Sequence, residues 1–212
     1  MNHPARQSRS TPRNEVLPTT IWLPAPDEEH TTPRSGAVLP SWALDRIRTE
    51  LAQRPGRTPA PLIKLDIRDT DPGMDARTRT TTYACTDDFT GVPPVLLAEL
   101  HPDALSTGSD PAAEGDALED GWPSFFHRAH RLLRNDGLLL LATRQRRDDG
   151  RLTDPIGSLI TSARTAGFRY LQHIVFAYAR PDGTHIAPAP PPDASPGVTH
   201  ADLIILTAIK QA

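Results

Sequence analysis

The chain has 212 residues and a mass of 23.2 kDa, which suits one domain with tails rather than two full cores. Leu, Ile, Val and Phe make up about a fifth of it, close to the level below which a chain cannot offset its own entropy by burial, and many of its 23 prolines gather in the first 60 residues and in 181–196. A net charge of −3 excludes a wholly basic nucleic-acid-coating protein, and a single cysteine, Cys85, excludes an internal disulfide framework and a cysteine zinc cluster.

Only Lys64 and Lys210 are lysines, so arginine carries nearly all of the positive charge; with the Ala and Pro richness this reads as codon bias rather than a binding signature. The longest apolar run, Leu138 to Ala142, is far short of the ~18 residues of a membrane span, and the start MNHPARQSRSTPR has no apolar h-region. A soluble, cytoplasmic protein with no membrane partner is expected.

Residues 1–36 read as a disordered tail in which Ile21-Trp22-Leu23 is the one apolar cluster, and 37–212 as the domain. Trp42, Leu44, Ile47 and Leu51 have near-helical spacing, with Ser41 as N-cap and Pro55-Gly56 as the stop. Pro61-Leu-Ile-Lys-Leu-Asp-Ile67 is a buried-strand run ending in acids, Asp66 and Asp69. The stretch 68–94 is polar, with a strand only at Thr81–Cys85, and Pro94-Val-Leu-Leu-Ala-Glu-Leu100 is a second buried strand.

After a loop at 104–121, Trp122–Arg134 reads as a helix with Phe125, Phe126, Ala129, Leu132 and Leu133 inward, closed by Asn135-Asp136-Gly137 at a left-handed residue. Leu138–Thr143 is a strand, Arg144-Gln145-Arg146-Arg147 a basic loop, and 154–166 a helix capped by Asp154 with Pro155 at its first position and ended by Gly167. Strands at 168–179 and 201–209, separated by a Pro-rich excursion, are antiparallel neighbours. From residue 95 onward the order is β-α-β-α-β-β: an α/β sheet, mostly parallel, closed by an antiparallel hairpin.

The run Arg131-Leu-Leu-Arg-Asn-Asp-Gly-Leu-Leu-Leu-Leu-Ala-Thr143, followed by Ala166-Gly-Phe-Arg-Tyr170, resembles the C-terminal half of S-adenosylmethionine-dependent methyltransferases, and among them the DNA amino-methyltransferases that modify exocyclic nitrogens of adenine or cytosine. In that family a helix ending LRPGG leads into the fifth strand and a helix ending AGF into the closing hairpin; Asn135-Asp136-Gly137 stands in place of PGG. The resemblance covers roughly residues 40–67 and 94–209 and implies a Rossmann-like methyltransferase sheet. Its N-terminal half is reduced: one Gly, Gly73, follows the first strand, there is no G-x-G turn for close approach to a cofactor, and about 27 residues separate that strand from the next where a single βαβ unit takes about 30. Asp66 is the residue left for a cofactor contact.

Where the family places an Asp, Asn or Ser followed by Pro-Pro and an aromatic, to hold the target amino group and stack on the flipped base, this chain has Glu99-Leu100-His101-Pro102. Glu99 and His101 are thus the candidate acid/base pair. Arg144, Arg146 and Arg147 follow a strand at the end of the sheet where ligands bind and are candidates for phosphate contacts, with Asp148-Asp149 weakening the local field. His127 and His130 at i, i+3, and the pairs Asp87-Asp88 and Asp148-Asp149, read as solvated or packed side chains rather than metal ligands, and no metal is expected. Two readings stay open here. The favoured one is a degenerate methyltransferase-like protein with no cofactor, acting as partner, regulator, homo-oligomer or DNA-binding module; the other is an active S-adenosylmethionine-dependent enzyme acting on amino groups of DNA.

Overall fold

The computed structural model describes residues 19–28, 32–52, 62–69, 77–83, 94–101, 117–148 and 150–209. In chain order they form β1 (Thr19–Trp22), α1 (Ser41–Ile47) running into a π-helical turn (Arg48–Ala52), β2 (Leu62–Asp69), β3 (Arg77–Tyr83), β4 (Val95–Leu100), α2 (Ala117–Leu132) and β5 (Leu138–Thr143). Then follow β6 (Arg146–Asp148), β7 (Arg151–Thr153), α3 (Ile156–Thr165), β8 (Phe168–Ala177), β9 (Ala179–Asp182), β10 (His185–Pro188) and β11 (His200–Ala208).

One seven-stranded sheet has the order β1-β8-β11-β5-β4-β2-β3, and β6–β7 and β9–β10 are separate hairpins. The pairs β1–β8, β2–β4 and β4–β5 are parallel, whereas β11 runs against both β5 and β8 and β3 runs against β2. Five strands therefore share one direction. The fold is mixed α/β with a mostly parallel central sheet and antiparallel hairpins.

The period-free apolar runs make sense because both faces of the inner strands are covered. Leu96, Ala98, Leu100, Leu139, Leu141, Ile204 and Leu206 pack under Phe125, Phe126, Ala129 and Leu133 of the α2 region and Leu159 and Ala163 of α3. Their strand neighbours Val95, Leu97, Leu140, Ala142, Leu203 and Ile205 face the other way, onto Val38, Leu39, Trp42, Ile47 and Phe176. The two-residue period of a strand splits each run between two cores.

Local signals place several boundaries well. Gly167, with φ of 95°, follows the C-cap Ala166 and ends α3 as a left-handed residue, whereas Asp136, with φ of 60°, lies beyond the end of α2 at Leu132, in the turn that the Gly137 N–H closes onto the Arg134 carbonyl. The Asp154 carboxylate accepts from the Ile156 N–H at 3.0 Å, while Leu159 N–H bonds to the carbonyl of Pro155, as expected for an Asp cap followed by a helical proline.

Other expectations are corrected. Ser41 is the first helical residue rather than the cap, Pro40 precedes it, and no side chain caps the turn. Leu132 is 53% exposed, and Leu133 alone of that pair enters the core. The excursion after β8 is not structureless, since Ala179–Asp182 and His185–Pro188 pair as a hairpin. Thr19–Trp22, within the stretch whose composition reads as a tail, is an edge strand in register with His173–Phe176. Trp22 is buried against Phe176 with ring centroids 5.2 Å apart, and the Arg46 guanidinium lies over its ring at 4.3 Å. One aromatic with two such partners outweighs the polar composition around it.

Candidate functional site

Open α/β sheets bind ligands outside the carboxyl ends of their parallel strands, and here those ends carry two polar clusters, one on each face. The first begins with Glu99 near the end of β4, whose Oε1 lies 3.2 Å from the Nζ of Lys64, a residue nearer the start of β2. Both residues are buried. Glu99 Oε2 also accepts the Val38 N–H at 3.4 Å. A buried carboxylate is tolerable only when its charge is met in this way.

The next strand end supplies Arg144, which is 1% exposed. Its Nη2 donates to Asp193 Oδ2 at 2.8 Å, and the same oxygen lies 3.1 Å from His101 Nε2 and accepts the Gly36 N–H at 3.3 Å. Arg144 Nη2 is also 3.4 Å from His101 Nε2. One imidazole nitrogen cannot donate to Asp193 and accept from Arg144 at once, and the shorter distance favours donation to the carboxylate. Burial pushes the Asp193 carboxyl up, but the hydrogen bonds from Arg144 and His101 and the Arg144 charge outweigh it and hold the group down at about 2. Burial raises the Tyr178 hydroxyl far above the ordinary phenol range, against the pull of Arg144, and this hydroxyl donates to the Val38 carbonyl at 2.8 Å.

On the opposite face, Asp202 of β11 is 1% exposed. Its Oδ1 lies 2.8 Å from His173 Nε2 and 3.8 Å from His200 Nε2. Among the described residues its Oδ2, like the hydroxyl of Thr143, its register partner on β5, is buried with no hydrogen-bond partner. A buried Asp bonded to a partly exposed His fixes the orientation of that imidazole.

Of the residues singled out from sequence, Glu99, His101 and Arg144 come together at the ends of β4 and β5, each engaged by the chain's own groups. Asp66 lies on β2 in register with Glu99 and with Arg79 of β3, its side chain outside the described residues. Arg144 does not stand in an exposed basic loop: it turns inward, and Arg146 and Arg147 sit apart from it on the β6–β7 hairpin, the latter donating to the Gly150 carbonyl at 3.0 Å.

His127 is exposed, whereas His130 stacks edge-on against Phe168 and its Nε2 meets the Ile209 carbonyl at 3.0 Å, a packing role. Among the described residues no group of three or more His, Cys, Asp and Glu side chains could hold a metal ion, and no helix is long and apolar enough to cross a membrane. Cys85, Asp87-Asp88 and Asp149 lie outside the described residues, as does the stretch around Gly73.

Sequence reading did not find Tyr178, Asp193, Asp202 or His173. Asp202 carried a usable signal, an acid opening an otherwise apolar strand, since a charge there must be paired. Asp193 sits among prolines and alanines and carried none.

No family model matches the chain, and no curated protein matches it. Among solved structures the chain is similar to a Thermus thermophilus protein described as a "Putatative DNA Modification Methylase", with 21% identity and a TM-score of 0.33. The match covers 56% of this chain and 46% of the other, less than half of that protein's length.

Proposed function

We propose that this chain is a degenerate methyltransferase-like protein on a Rossmann-like sheet, working as a non-catalytic partner, regulator or nucleic-acid-binding module rather than transferring methyl groups. The observation that carries this reading is the state of the strand ends. Glu99 and His101, which stand where the resembling family grips its target amino group, are taken up by Lys64 on one side and by Asp193 and Arg144 on the other. A carboxylate already paired with an ammonium is a poor acceptor for a further amino group. Arg144, too, spends its Nη2 on Asp193 instead of on a ligand.

Two further features support a binding role. The β6–β7 hairpin carries Arg146, Arg147 and Arg151, suited to phosphate contacts. Ile21 of edge strand β1 and Leu23 just after it are 67% and 42% exposed, the kind of apolar edge that a protein partner or a second copy covers.

Calorimetry with S-adenosylmethionine tests the reading. No saturable heat is expected. A dissociation constant near 1 μM, equivalent to about −8 kcal/mol, overturns it in favour of an active methyltransferase acting on amino groups of DNA.

A further inference from the structure

Beside the first polar cluster, and sharing Lys64 with it, a cleft of about 1030 Å³ opens on the α1 side of the sheet, just above the ~300–1,000 Å³ range usual for ligand sites. Its walls come from four parts of the chain: a strap described at residues 26–28 and 32–39, α1 with its π-helical turn, β2, and the β9–β10 hairpin. Leu39, Leu44 and Leu62 line it with Pro26, Pro188 and Pro190, and no aromatic side chain does so among the described residues.

Charge on these walls is unbalanced. Among the described residues that line it, Arg34, Arg48, Lys64 and Arg180 are set against Glu28 and Asp45. Lys64 is committed to Glu99, and Arg48 meets Asp45 at 3.4 Å in an exposed pair of the kind that contributes little. Arg34 and Arg180 are exposed and have no acidic partner among the described residues.

The walls are also anchored. Gly36 and Val38 tie the strap to Asp193, Glu99 and Tyr178, and the Ala189 N–H bonds to the Tyr178 carbonyl at 2.8 Å. A cleft built in advance loses little affinity to ordering its own walls.

We propose that this cleft binds a soluble ligand with a phosphate group on an aliphatic, non-aromatic body. Arg34 of the strap and Arg180 of the β9–β10 hairpin, both lining the cleft, take the phosphate, because the planar guanidinium fork matches its oxygens two at a time. The leucines and prolines take the aliphatic part. Among the described residues a nucleobase finds no ring to stack on, which separates this site from a nucleotide pocket. The inference does not depend on the loss of methyl transfer, since no part of it uses S-adenosylmethionine.

Calorimetry on the full chain with hexyl phosphate, inorganic phosphate and adenosine monophosphate tests it. Hexyl phosphate is expected to bind in a saturable, salt-sensitive way and more tightly than either of the others. R34A and R180A, both at exposed side chains, are each expected to weaken it by about tenfold, with far-ultraviolet circular dichroism unchanged. Absence of saturable heat up to about 10 mM, equal or tighter binding of adenosine monophosphate, or indifference to both substitutions overturns the proposal. So does cosedimentation with phosphatidic acid vesicles that R34A and R180A abolish, which would assign the same arginines to a membrane lipid.

Discussion

Asp193 Oδ2 and Arg144 Nη2 are 2.8 Å apart although 49 residues separate them in sequence, and through this contact the Pro-rich excursion after β8 is fastened over the end of β5. The guanidinium is buried and the carboxylate a quarter exposed. The pair also excludes other anions from Arg144, so removing the carboxylate both destabilises the fold and frees a cation.

D193N is therefore expected to lower stability by about 2 kcal/mol, below the ~3–5 kcal/mol typical of breaking a fully buried pair because water reaches Asp193. The pH dependence has a definite sign. The folded-state pKa of Asp193 is depressed to about 2 from 3.8, so its stabilising contribution is complete above about pH 4 and is lost as pH falls towards about 2. Urea midpoints of the wild type should fall more steeply across that window than those of D193N. Parallel acid limbs would show that the pair contributes nothing.

Leu140, fully buried in the central strand β5 between β4 and β11, is the most sensitive point of the core. L140D places an unpaired carboxylate there at a cost of several kcal/mol against a total stability of about 5–15 kcal/mol. No cooperative thermal transition is expected. A soluble L140D protein with an unchanged melting temperature would contradict the sheet assignment.

Two glycines should respond in opposite directions. Gly167 has φ of 95°, and an added Cβ would lie 2.9 Å from His130 Nε2, which is itself held by the Ile209 carbonyl. G167A should cost about 1–2 kcal/mol. Gly157 sits in α3 with nothing within 4 Å of the added carbon, so G157A should stabilise by about 0.5–1 kcal/mol. Thermal denaturation of the two variants side by side checks the sign of each.

If the β6–β7 hairpin contacts nucleic acid, R146A and R147A should weaken duplex DNA binding regardless of sequence and reduce the dependence of log affinity on log salt by about 1 per phosphate contact removed. Fluorescence anisotropy at several salt concentrations measures both. An unchanged salt slope would remove this hairpin from any DNA-binding role.

The sequence by itself determined the elements that obey local rules. Leu138–Thr143 and Val95–Leu100 are apolar runs too short to be helices, Gly167 marks a helix end and Asp136 a turn by backbone conformation, and Asp154-Pro155 opens a helix by capping chemistry. Each of these signals lies within a few residues of the element it sets. The tertiary structure alone decided the rest. Thr19–Trp22 is a strand only because β8, some 150 residues later, offers its edge, and His101 meets Asp193 across 92 residues. Arg144 illustrates the division most clearly. Its neighbours Arg146 and Arg147 make it look like part of a solvated basic loop, but the strand's alternation turns its side chain into the sheet's covered face, where a carboxylate from the far end of the chain neutralises it. Local spacing cannot encode such a partner, because the energy that selects it exists only after both segments have been brought out of water together.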